Sequence, residues 1–141
     1  MFLKMSSENK DYKVLVVDDR LEVLEAAKKI LEKDYTVITI STPKEAINYD
    51  KDFDLLISDI YFKKEEKNGF EIILDWRKKK EGLNAILMSS GFDEQTIRLC
   101  KKYKILRLEK FKDDLHPIDA SELKELVGYY SQRRIEPFLN I

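Results

Sequence analysis

With 141 residues, 43% hydrophobic and 38% charged, and only four Gly and three Pro, the chain reads as one compact domain with a full core. A net charge of −1 without a basic stripe argues against nucleic-acid binding, and Arg77-Lys78-Lys79-Lys80 reads as a solvated helix end. A lone cysteine, Cys100, excludes an intramolecular disulfide, and no apolar stretch approaches the ~20 residues of a membrane span, so a cytoplasmic protein without membrane insertion is expected.

Strand and helix patterns then alternate along the chain. Val14 to Val17 is a continuous apolar run, as a strand covered on both faces requires. Leu21, Leu24, Lys28 and Leu31, with Ala27 and Ile30, follow helical spacing. Tyr35 to Ile40 is β-branched and strand-like. Thr42-Pro43-Lys44-Glu45 opens a second helix, with Thr42 as cap, Pro43 in the first turn and Glu45 completing a capping box. Leu55 to Ser58 is a third strand, and Phe70, Ile73, Leu74 and Arg77 mark a third helix closed by Gly82. Ala85 to Met88, a helix from Asp93 to about Tyr103, and Ile105 to Leu108 follow. Leu123, Leu126, Val127 and Tyr130 stripe a last helix, capped by Asp119 or Ser121. This α/β pattern, (βα)5, implies a doubly wound parallel sheet with helices on both faces. The charged segments Lys63 to Asn68 and Lys112 to Ala120 read as exposed loops.

Three of the strands end in acids or hydroxyls: Asp18-Asp19, Asp59 and Ser89-Ser90. The fifth ends at Lys110. If the strands are neighbours, these groups converge on the edge where open α/β sheets bind ligands. Packed carboxylates repel, and at least one has a raised pKa unless a cation joins them. Mg²⁺, satisfied by oxygen ligands and water, resolves the conflict, and a phosphoryl group fits beside a cation, a lysine and a hydroxyl. Alternatively one acid is itself the nucleophile. Taken singly, an Asp-Asp pair is an ordinary cap and Lys110 an ordinary surface lysine; only their joint occurrence carries the reading.

Val16-Val17-Asp18-Asp19, Leu56-Ile57-Ser58-Asp59, Met88-Ser89-Ser90 and Leu108-Glu109-Lys110 resemble the signature blocks of the receiver domain of two-component response regulators. The resemblance runs from about Lys13 to Arg134. It implies a flavodoxin-like sheet of order 2-1-3-4-5, with a tail over 1–10, the receiver over 11–134 and a second tail over 135–141. Asp59 matches the phosphoacceptor for a histidine-kinase phosphohistidine. Asp19 matches the direct Mg²⁺ (or Mn²⁺) ligand, Asp18 its water-mediated neighbour, and the carbonyl of Tyr61 a third protein ligand. Ser89 matches the switch hydroxyl, with Ser90 beside the phosphate, and Lys110 matches the lysine that pairs with it.

Four departures from the pattern stand out. Phe111 follows Lys110 where receivers usually carry proline; a non-proline cis bond costs ~3–4 kcal/mol, so a trans Lys110–Phe111 peptide is predicted. Arg107 occupies the aromatic switch position and resists burial without a carboxylate partner. Lys63–Asn68 lengthens the segment after the acceptor. Lys112–Ala120 lengthens the connection to the last helix and contains His116, the only histidine, expected to be exposed. Cys100 is expected to be a half-buried packing residue. Phe138, Leu139 and Ile141 form an apolar tail that folds back or docks a partner.

The resemblance implies a stand-alone signalling switch rather than a metabolic enzyme. Its partners are a sensor histidine kinase or phosphotransfer protein and a downstream protein target, with no DNA. Two rivals are a receiver-like scaffold that carries no phosphate and an aspartyl-nucleophile phosphatase. Tyr61, standing where such phosphatases need a second acid, counts against the latter.

Overall fold

The computed structural model describes residues 10–62 and 67–132. The apolar C-terminal tail, all but Lys10 of the N-terminal tail and the Lys63–Glu66 part of the insertion lie outside them. Five parallel strands, β1 (Lys13–Val17), β2 (Thr36–Ile40), β3 (Leu55–Asp59), β4 (Asn84–Ser89) and β5 (Leu106–Glu109), form one sheet of order β2-β1-β3-β4-β5. Helices α1 (Leu21–Leu31), α2 (Pro43–Ile47), α3 (Gly69–Lys79), α4 (Glu94–Lys102) and α5 (Ala120–Ser131) connect or follow them. The doubly wound fold and the strand order implied by the resemblance are both present.

Alternation along the strands divides the core. Leu15, Val17, Leu56 and Leu87 face Phe53, Ile72, Ile73 and Trp76 on one side of the sheet. Val14, Val16, Leu55, Ile57, Ile86 and Met88 meet Val23, Leu24 and Ala27 of α1 and Leu123 and Val127 of α5 on the other. Both sets are buried, which is why the strands read as unbroken apolar runs. Full burial of each such side chain contributes roughly 1.5–3 kcal/mol.

Several local expectations are corrected. Leu21 and Lys28 are exposed, and Val23 joins Leu24, Ala27 and Leu31 as the buried face of α1. Leu21 is the first helical residue and lies off the stripe that faces the sheet. The Thr42 capping box is half made: Glu45 N–H donates to Thr42 Oγ1 at 3.2 Å, but the Glu45 carboxylate accepts from the Thr42 hydroxyl. A complete box opens α3 instead, where Asn68 and Glu71 exchange bonds of 2.9 Å each way. Cys100 is fully buried rather than half-buried. Arg77 is not a solvated helix end. It donates to the carbonyls of Leu83, Tyr103 and Lys104, tying α3 to the turns that enter β4 and β5.

Candidate functional site

Backbone hydrogen bonds carry the strand ends into a common edge. Asp18 N–H donates to Ile40 O at 3.1 Å, Ile60 N–H to Met88 O at 3.0 Å, and Lys110 N–H to Ser89 O at 2.7 Å. Asp18, Asp19 and Asp59 thereby bring carboxylate oxygens within 4.8 Å of one another. Lys110 Nζ sits between two of them, donating to Asp18 Oδ2 and Asp59 Oδ1 at 2.8 Å each. The second oxygen of Asp18 accepts from Arg20 N–H at 2.8 Å. Both Asp18 oxygens are therefore engaged, whereas no donor among the described residues holds Asp59 Oδ2. Asp18 and Asp59 are buried and Asp19 is exposed. Three oxygen-bearing acids with one ammonium between them suit a hard divalent cation.

Burial dominates the electrostatics. It raises the Asp59 carboxyl to about 6, with Lys110 pulling the other way and Asp18 adding repulsion. Burial raises Asp18 as well, again opposed by Lys110. Folding thus takes up a proton at Asp59. Stability from this source is complete below the unfolded-chain pKa and is lost as pH rises through about 6. Without divalent cation, Asp59→Asn is expected to match wild type near pH 4 and to exceed it by about 2 kcal/mol above pH 7. Urea unfolding of both proteins across that range measures the difference.

Asp19, Tyr61, Ser89, Ser90 and Lys110 line one pocket of about 300 Å³ with Asp59. Ser89 is buried, and its hydroxyl donates to Gly91 O at 2.6 Å rather than to an acid. Ser90 is exposed. Arg107 does not join the pocket: it is exposed on β5, its guanidinium 5.8 Å from the Phe92 ring centroid. His116 is exposed as expected, with Nδ1 3.3 Å from Asp113 Oδ1.

Phe111 departs from the usual proline for a structural reason. The Lys110–Phe111 peptide is trans, and Phe111 has φ 58°, in the left-handed region. Its N–H donates to Pro117 O at 2.9 Å. Proline can neither adopt that φ nor supply that proton. Phe111→Pro is therefore expected to cost about 3 kcal/mol, read from the shift of the urea midpoint.

Gly69 is the contact the strand ends alone do not reveal. Its N–H donates to Ile60 O at 2.8 Å, seating the start of α3 directly on the end of β3. A Cβ there would fall inside the van der Waals shell of the Asp59 carbonyl oxygen and 2.8 Å from Ser58 Oγ. Arg20 and Phe111 also line the pocket, with the Arg20 guanidinium 4.6 Å from the ring centroid. The sequence reading missed Arg20 altogether. For Gly69, the Asn68-x-x-Glu71 cap was the available signal.

No family model matches the chain. A curated relative, the probable C4-dicarboxylate response regulator DctR of Bacillus subtilis strain 168, is 30% identical, over 94% of this chain and 63% of its own length. The chain thus spans less than two thirds of that relative. Among solved structures, a response regulator receiver domain protein from Clostridium thermocellum is 25% identical with a TM-score of 0.68, covering 87% of this chain and 96% of its own. The BeF3-activated DrrB receiver domain of Thermotoga maritima is 20% identical with a TM-score of 0.74, covering 86% and 98%. Its likeness is one of fold. The chain is thus similar to a response regulator along nearly all of this chain's own length, and it has the sheet and helices of the solved receiver domains.

Proposed function

We propose that this receiver is a phosphorylatable switch, taking a phosphoryl group onto Asp59 from the phosphohistidine of a sensor histidine kinase or phosphotransfer protein. The supporting observation is the buried Asp59 carboxylate, held through Oδ1 by Lys110 while Oδ2 faces no donor among the described residues. Oδ2 attacks phosphorus; the new P–O bond forms as the P–N bond breaks, and its electron pair leaves with the imidazole, which departs neutral because its other ring nitrogen carries a proton. Asp19 and Asp59, with the Tyr61 carbonyl and Asp18 through water, would hold Mg²⁺ or Mn²⁺, which neutralises phosphoryl oxygen charge. Lys110 is positioned to exchange a carboxylate for a phosphoryl oxygen. Ser89 can turn from Gly91 toward the same group, which converts chemistry at Asp59 into a change of backbone surface. The outcome is altered binding to a downstream protein, in the cytoplasm, with no metabolic turnover.

Intact mass spectrometry after incubation with a small-molecule phosphodonor tests this. One added phosphoryl group is expected on wild type with Mg²⁺, and none without Mg²⁺ or on Asp59→Asn. An adduct of equal yield on Asp59→Asn would refute it.

A further inference from the structure

We infer that Arg20 is a second phosphoryl-binding cation at the mouth of the Asp59 pocket, a positioning residue that acts only once the phosphoryl group is in place. This rests on the acceptor reading above. Among the described residues lining the pocket, Lys110 and Arg20 are the only cations. Three carboxylates and one ammonium leave two negative charges in excess, which a divalent cation cancels. Converting Asp59 to its phosphoryl form replaces one negative charge by about two, so one is again uncompensated. Arg20 is the cation at hand to cancel it.

Its geometry fits that task. The Arg20 backbone is anchored through its N–H to Asp18 Oδ1 at 2.8 Å. Its side chain is held more loosely: Nη2 lies 3.0 Å from Glu22 Oε2, in a pair about half exposed on both sides. Exposed pairs of this kind are weak and readily exchanged. The guanidinium lies over the Phe111 ring, and the Phe111 backbone is held by its left-handed conformation and its bond to Pro117. A guanidinium keeps its N–H groups in its own plane, where a planar fork can engage two phosphoryl oxygens. On phosphorylation, Arg20 exchanges Glu22 for the phosphoryl group while keeping Phe111 as its platform.

Calorimetry on the full chain tests this with two probes: Mg²⁺ alone, then beryllofluoride at saturating Mg²⁺. Arg20→Gln is expected to bind Mg²⁺ alone slightly tighter, by up to about twofold, because a nearby positive charge is gone. The same variant is expected to bind beryllofluoride about 5–10-fold more weakly. Arg20→Lys should recover part of that loss, and Glu22→Gln should tighten beryllofluoride about twofold by releasing the arm. The opposite signs separate a phosphoryl contact from a folding defect, which would weaken both probes. Equal beryllofluoride affinity in wild type and Arg20→Gln, or parallel weakening of both probes, would overturn the assignment. Failure of wild type to bind beryllofluoride would instead bring down the acceptor reading itself.

Discussion

Changing Lys110 to methionine is expected to destabilise the metal-free protein by about 3 kcal/mol at pH 7.5. The Lys110 side chain is 5% exposed, and among the described residues its ammonium is the one group donating to both Asp18 and Asp59. Methionine keeps the apolar stem but leaves two buried carboxylates facing each other without a counter-charge. The folded protein can relieve this by binding a proton, since burial already raises both acids. The loss is therefore largest above their raised pKa values and shrinks as pH falls through them. Millimolar Mg²⁺ should restore part of the stability by the same neutralisation. Urea unfolding at pH 5 and pH 7.5, with chelator and with Mg²⁺, reads all four conditions. A loss equal in every condition would mean that Lys110 acts through packing rather than charge.

Gly69→Ala is expected to cost about 3 kcal/mol and to lower Mg²⁺ affinity several-fold. The added methyl meets the backbone of Asp59 most closely, and that backbone cannot turn aside as the neighbouring Ser58 hydroxyl can. Relief requires α3 to lift from β3 or the Asp59 peptide to tilt, and either displaces the acceptor. Gly128 is the matched control: it lies inside α5, and a Cβ there meets nothing within 4 Å. Gly128→Ala should gain up to about 1 kcal/mol from helix propensity. Unfolding midpoints and Mg²⁺ titrations of the two variants measure the contrast. Mg²⁺ affinity unchanged in Gly69→Ala would show that the α3–β3 contact does not position the site.

The strands were legible because their chemistry is unambiguous: Val14–Val17 and Leu55–Ile57 are apolar at every position, which only burial on both faces explains. Their spatial order was not legible from periodicity, since parallel crossovers of similar length permit several orders, and it came from the family resemblance. Asp18, Asp19, Asp59, Ser89 and Lys110 were legible as the groups that end the strands, the resemblance adding their roles, and the sheet brings them to one pocket or cluster. What escaped the sequence depends on tertiary approach. Arg77 reads as one cation in a basic run, yet it binds three carbonyls that only the fold assembles. Leu21 has the right spacing for the core but lies off the stripe that faces the sheet. Phe111 shows the missing proline, not the left-handed turn that makes proline impossible. Arg20 gives no periodic or motif signal, because its relation to the pocket passes through Phe111, far along the chain.

Asp59 itself is the residue proposed to carry the phosphoryl group. The most direct test is borohydride reduction of the phosphorylated protein followed by peptide mass mapping. An acyl phosphate at Asp59 is reduced to homoserine, so homoserine at position 59 is the expected result. Homoserine at Asp18 or Asp19 with position 59 unchanged, or phosphate retained on a serine, would contradict the account.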